Sequence, residues 1–252
     1  MTLLVTGGTG TLGASVLPLL RAAGARPRVL SRRPHPDTAD TEFVVGDTVS
    51  GARLDAAMAD VATVLHMAGG RGDDRAAVEV SAAARRAGVE HLVLVSVTAA
   101  DRLPLGYYRA KAAAERAVVA SGVPWSVVRP SQFHGFVLRT LGRLAGLPVV
   151  PAPREMWLEP VDVPAVARRL VEVTLAAPQG RVPDVVGPQV LSATDALRTL
   201  LEVRGQRRRL VPVRVPGPVG RACRERANLG GADALRTGRT WAQFLADAGP
   251  TA

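Results

Sequence analysis

The chain has no isoleucine, one asparagine (Asn228), one lysine (Lys111) and one cysteine (Cys223), and aromatic residues make up only 4% of it. A lone cysteine excludes an internal disulfide and fits a reducing compartment. The apolar runs, such as Val61 to Ala68 and His91 to Val97, stop well short of the roughly 20 residues that span a bilayer. The opening MTLLVTGGTG has no basic stretch ahead of its apolar residues, so it reads as fold rather than address, and the protein is expected to be cytoplasmic with no membrane partner. The net charge of +10 and the pI near 11.3 raise the question of nucleic acid. Scarce aromatics and arginines spread along the whole chain argue against it, and no nucleic-acid partner is expected. His35, His66, His91 and His134 show no ligand spacing with carboxylates or with Cys223, and no serine sits in a Gly-x-Ser-x-Gly elbow.

Missing residues sharpen those that remain. In a chain that uses arginine for nearly all its cationic surface, a surviving lysine marks a place where a compact, titratable ammonium is needed. Length and pattern suggest an α/β doubly wound parallel sheet, a Rossmann fold with a small C-terminal subdomain on the substrate side. Apolar, β-branched runs predict strands at 3–6, 28–31, 42–46, 61–67, 91–97 and 125–129. Helices are expected over 12–23, 54–59, 73–87, 106–121 and 133–145. Gly24, Gly88 and Gly122 each follow a helix end, where a left-handed cap favours glycine. Residues 1–147 are expected to be the dinucleotide-binding core. Residues 148–252, with helices near 164–177 and 194–204, are expected to supply lid elements completing the same domain.

The segment TGGTGTLG puts Gly7, Gly10 and Gly13 at three-residue spacing between the first strand and the first helix, with Thr9, Thr11 and Leu12 among them. Glycine there permits a tight turn, backbone approach to a pyrophosphate and close helix packing, with helix N–H groups facing the anion. The second strand ends in Ser31, Arg32 and Arg33, where an NAD-selective site would place a carboxylate. A hydroxyl and two guanidiniums suit the 2′-phosphate of NADP instead. Gly46 and Asp47 end the third strand, where the carboxylate is placed to accept the adenine amino group. Met67, Ala68 and Gly69 end the fourth and let the ribose and phosphates pass close to the chain. Both could equally be turn chemistry.

Tyr107 and Lys111 form Tyr-x-x-x-Lys on one helix face. An ammonium near a phenol favours the phenolate and readies the tyrosine for proton transfer. Tyr108 competes, three residues from the same lysine. Ser96 closes the fifth strand, where its hydroxyl could hold a substrate oxygen; Thr98 is the rival.

On these residues, together with HLVLVSV, YYRAKAAAE, WSVVRPSQFHGF, the EPVDV of 159–163 and the GRTWAQFL of 238–245, the chain resembles the atypical short-chain dehydrogenase/reductases of the NmrA-like, NAD(P)H-binding type. The resemblance implies NADP(H) as cofactor. It also implies that Pro130, Ser131, Gln132 and Phe133 lie beside the nicotinamide and that His134 faces the substrate region, the alternative being a structural histidine. CRERANL at 223–229 departs from the family's more usual aromatic and glycine pattern and puts the lid in doubt. Members are reductases of quinones, carbonyls and activated double bonds, or redox sensors that bind NADP(H) without turnover. Tyr107 with Lys111 favours an NADPH-dependent oxidoreductase acting on a small, largely apolar carbonyl, enone or quinone. A non-catalytic sensor is the alternative, motivated by the basic C-terminal third with Arg207, Arg208 and Arg209.

Overall fold

Strands built from unbroken Val and Leu runs need cover on both faces, which parallel sheets obtain from crossover helices. The structure is a computed structural model describing residues 2–249, and it follows this rule through its first half. In chain order the elements are β1 (Thr2–Thr6), α1 (Thr11–Ala22), β2 (Arg26–Ser31), β3 (Glu42–Val45), α2 (Leu54–Ala57), β4 (Thr63–His66) and α3 (Asp73–Arg86). Next come β5 (His91–Val95), α4 (Gly106–Val119), β6 (Trp125–Val128), α5 (His134–Ala145), β7 (Val149–Pro153), β8 (Trp157–Leu158) and α6 (Val163–Leu175). The last are β9 (Gly180–Arg181), β10 (Val185–Val186), β11 (Leu191–Ser192), α7 (Ala193–Val203), β12 (Arg209–Val213), α8 (Gly217–Arg224), β13 (Leu235–Arg236) and α9 (Trp241–Ala248).

The chain gathers into two compact units. One takes the chain to Ser96 with Arg109–Arg129 and Val166–Val182; the other takes Val97–Tyr108, Pro130–Ala165 and the chain from Pro183. The two units exchange segments at several points along the chain. The physical reason lies in the parallel sheet: the segments that leave the carboxyl ends of β5 and β6 are built into the second unit before the chain returns.

The first unit holds a seven-stranded parallel sheet in the order β3-β2-β1-β4-β5-β6-β9, a Rossmann-type α/β arrangement. The strand order reverses beside β1, and such switch points, at the carboxyl ends of the strands, are where open sheets bind ligands. Leu4, Val64, Leu92 and Val127 from the strands pack with Ala77, Val80 and Ala84 of α3 and with Ala114 and Val118 of α4. Gly24, Gly88 and Gly122 take φ of 77°, 68° and 76°, the left-handed conformation expected after a helix.

The second unit pairs short strands, β7 with β12, β8 with β11 and β10 with β13. Its core joins α5, α7, α9 and β7 through Val137, Leu141, Val150, Leu197, Leu200, Trp241 and Leu245. The Trp241 indole N–H donates to Ala196 O at 3.0 Å, so the large ring is buried without stranding its donor. A reciprocal capping box between Thr240 and Gln243 starts α9.

Candidate cofactor and active site

The glycine turn is a cradle that side chains would fill. A Cβ on Gly7, whose φ is 75°, would lie 2.6 Å from Ala68 N, and one on Gly13 would lie 2.2 Å from Gly8 O. Gly10 caps α1 without any side-chain acceptor, so the first N–H groups of the helix, from Thr11, Leu12 and Gly13, stay available to an anion. These features fit the pyrophosphate of a dinucleotide. Gly13→Ala is expected to cost about 1–3 kcal/mol of stability, because backbone must shift, and to weaken NADPH binding at least about tenfold. A thermal melt and a fluorescence titration check both effects.

Beside this turn β2 pairs with β1 up to Leu30 opposite Thr6. The Ser31 hydroxyl accepts the Arg33 N–H at 3.2 Å and so shapes the strand end. No ion pair engages Arg32 or Arg33 among the described residues, and both side chains are exposed. At the end of β3, Asp47 Oδ1 accepts the Val49 N–H at 2.8 Å, so one of its oxygens closes a turn. Gly46 is packed so that a Cβ would meet Ala52 O at 2.7 Å. Met67 N–H donates to Thr6 O and Ala68 N–H to Thr6 Oγ1, which locks the end of β4 onto β1. His66, bonded through Nδ1 to Thr6 Oγ1 at 2.6 Å, is held neutral by burial and then by the Lys111 charge, its pKa lowered to about 3.

Lys111 is buried. Its ammonium lies 3.1 Å from Asp73 Oδ2 and donates to Val95 O at 3.0 Å. A Cβ on Gly69 would come within 3.5 Å of the same nitrogen, so the glycine keeps this corner open. An ammonium has three donors; Val95 O takes one, and the Asp73 carboxylate supplies the counter-charge at ion-pair distance. Asp73 is the residue that reading the sequence missed. Its only local sign is an acidic side chain in the first turn of α3, an ordinary response to the helix dipole.

Ser96 is buried, and its hydroxyl has no hydrogen-bond partner among the described residues. A buried donor left in this state costs free energy unless something else satisfies it. Thr98 is buried but engaged, its N–H donating to Pro130 O at 2.9 Å.

The remaining site residues belong to the second unit. Tyr107 stands one helical turn before Lys111 on α4 and is 50% exposed. Tyr108 meets it edge to face, with ring centroids 5.4 Å apart. The Tyr108 phenol is hydrogen-bonded with Gln132, and burial pushes its pKa up. Ser131 donates its hydroxyl to Glu159 O and its N–H to Val185 O, while Gln132 O accepts the Val161 N–H. Pro130 bridges to Val185 and Phe133 to Val161, so the whole stretch is strapped in place.

His134, expected to face the substrate region, is instead a core residue. It is 1% exposed and stacks on Phe244 at 4.7 Å and on Trp241 at 5.9 Å. Burial lowers its pKa to about 4, against an opposing pull from Asp162, whose carboxylate Arg239 grips at 2.8 and 3.0 Å. The unusual CRERANL stretch is structural as well. Cys223 is buried, with burial raising its pKa; the Asn228 amide donates to Trp157 O at 2.7 Å; and the Arg226 guanidinium covers the Trp157 ring at 4.3 Å.

Among the described residues no helix is long and apolar enough to cross a membrane, and no group of three His, Cys, Asp or Glu side chains is arranged to hold a metal ion. A family model described as NAD(P)H-binding matches residues 7–136. A (4-alkanoyl-5-oxo-2,5-dihydrofuran-3-yl)methyl phosphate reductase of Streptomyces griseus is 34% identical over 218 residues, covering 81% of this chain and 74% of its own. An NAD(P)H azoreductase of Xenophilus azovorans is 28% identical over 84% of this chain and 77% of its own. An NADPH-dependent quinone oxidoreductase of Escherichia coli, solved with NADPH, superposes with a TM-score of 0.83 over 98% of this chain and 99% of its own, at 17% identity.

Proposed function

The chain belongs to the NAD(P)H-binding family, and on that premise we propose that it is an NADPH-dependent oxidoreductase of the short-chain dehydrogenase/reductase type, reducing a small, largely apolar carbonyl, enone or quinone. The observation that carries this reading is the α4 pair, a half-exposed Tyr107 phenol one turn from the buried Lys111 ammonium. The names of its relatives support reduction in general: one reduces an oxo-dihydrofuran phosphate, another is an azoreductase.

Bound NADPH supplies a hydride to the electrophilic carbon of the substrate. Gly7, Thr9, Gly10, Thr11, Leu12 and Gly13 hold its pyrophosphate through backbone N–H groups and close approach. Met67, Ala68 and Gly69 let the ribose and phosphates lie against the chain. The adenine amino group is bonded by Asp47 beyond Gly46, using the oxygen that the turn leaves over. Pro130, Ser131, Gln132 and Phe133 flank the nicotinamide. A donor of Lys111 that Val95 O leaves over goes to the nicotinamide ribose, and its charge eases proton release from Tyr107. Tyr107 delivers that proton to the oxygen on which negative charge develops, and the Ser96 hydroxyl bonds the same oxygen and so gains the partner it lacks.

NADPH preference rests on Ser31, Arg32 and Arg33. Replacing both arginines by glutamine is expected to weaken NADPH binding about tenfold to a hundredfold and to leave NADH binding unchanged, since each charge-assisted bond to the 2′-phosphate is worth a kcal/mol or more. Titration of both cofactors into wild type and variant measures it.

The reading as a whole is tested by titrating the protein with NADPH and NADH and then following NADPH oxidation with a panel of quinones, enones and ketones. Tight NADPH binding with turnover of any member supports the reductase. Tight binding with turnover of none overturns it in favour of a redox sensor.

A further inference from the structure

We infer that the substrate carries a phosphate monoester, received by an arginine-lined cleft in the second unit; this deepens the reductase reading and rests on it. The cleft has a volume of about 510 Å³ and is lined by Arg102, Arg214, the first turn of α8 at Gly217 and Pro218, and Arg221 and Arg224 of its last turn, with Glu225 its one carboxylate. That volume lies within the roughly 300–1,000 Å³ of small-molecule sites.

Two of the guanidiniums are fixed by neutral acceptors. Arg102 donates to Leu229 O at 2.9 Å and Arg224 to Val215 O at 3.0 Å, bonds that orient the side chains without cancelling their charge. The nearest counter-charge to Arg102 is Asp101, at 4.0 Å. The Arg214 and Arg221 guanidiniums have no hydrogen-bond or ion-pair partner among the described residues. Four like charges around one cleft repel one another, and a dianion that several planar guanidinium forks can bond at once relieves the repulsion. The first turn of α8 adds to this, because Pro216 caps the helix with no side-chain acceptor for its N–H groups. The arginine-rich surface at Arg198, Arg207 and Arg208 differs, being balanced by Glu202 and by Asp195, which lies 2.6 Å from Arg198.

The cleft is tied to the tyrosines. Arg102 lies on the segment that leads from β5 into α4 and Tyr107. Ala99 and Leu103 of that segment are buried with Ala222 of α8, and Tyr108 packs against the same cluster. A phosphate held by the arginines is thereby referenced to the turn that presents the proton donor, and the distance between phosphate and reducible carbon becomes a specificity element.

The test is calorimetry on wild type and an Arg214→Gln/Arg221→Gln variant, both saturated with NADP⁺ so that the 2′-phosphate site is filled. The probes are phenyl phosphate, phenol and inorganic phosphate. The expected result is that phenyl phosphate binds wild type more tightly than inorganic phosphate or phenol and binds the variant at least about tenfold more weakly. Absence of phenyl phosphate binding, or equal binding by the variant, overturns the proposal. Inorganic phosphate binding as tightly as phenyl phosphate also overturns it, leaving a free-phosphate site. Oxidation of NADPH by wild type with menadione, a neutral quinone, separates the two readings. Turnover without phenyl phosphate binding removes the cleft proposal alone, whereas arginine-dependent binding without turnover of any carbonyl or quinone removes the reductase and leaves an anion site.

Discussion

Tyr107→Phe is expected to lower kcat by about a hundredfold to ten-thousandfold while changing NADPH affinity no more than about twofold. The substitution deletes one hydroxyl and keeps the ring, which is half-exposed, so the edge-to-face contact with Tyr108 and the course of α4 survive. What disappears is the phenol proposed to hand a proton to the substrate under the influence of the Lys111 charge. Tyr108→Phe is the necessary control. Burial raises the Tyr108 pKa against a smaller lowering by Gln132, which makes it the poorer acid, so this variant is expected to keep most of its turnover. Steady-state rates with any substrate of the panel, alongside a cofactor titration, decide between them. Full activity in Tyr107→Phe, or loss confined to Tyr108→Phe, would remove Tyr107 from its role.

Much of the first unit could be read from the sequence because its signals are local. The run His91–Val97 becomes β5 at His91–Val95, the run over 61–67 becomes β4 at Thr63–His66, and the three capping glycines take the conformation that their positions demand. Parallel strands covered on both faces write themselves as continuous apolar runs, and helix ends write themselves as glycine. The second unit is different. Strands such as β8, β10 and β13 are two residues long, too short for any period, and their pairing joins segments far apart in the chain. The start of α9 was legible in principle, since Thr240 and Gln243 form a capping box at the spacing that defines one. His134 shows the limit of reading a side chain by type. What makes it a core residue is Phe244 and Trp241 across the fold, and nothing near it in sequence announces them. The same holds for Asp73, whose partner Lys111 is brought to it only when β4 and β5 pair and α3 and α4 pack against them.

That pair carries the second large effect. Asp73→Asn is expected to destabilise the protein by about 3–5 kcal/mol, because it leaves the Lys111 ammonium buried without a counter-charge. For a chain of this size the melting temperature should fall on the order of 10 °C. Lys111→Met should cost a similar amount for the mirror-image reason, since Asp73 is equally buried. The two losses are not additive if the ion pair is their common cause. The Asp73→Asn/Lys111→Met double variant should therefore recover about 1–3 kcal/mol relative to the sum of the singles. Thermal denaturation of all four proteins measures that coupling, and strict additivity would show that the two groups do not act on each other. Activity separates stability from purpose. The double variant should regain much of its fold and none of its turnover, since the ammonium that eases proton release from Tyr107 is gone. A buried ion pair that uncharged side chains can replace in the fold but not in the reaction is retained for the reaction. On the proposed reading Asp73 is a positioning residue: its charge holds the Lys111 ammonium in place while Val95 O takes one donor and leaves others to the cofactor.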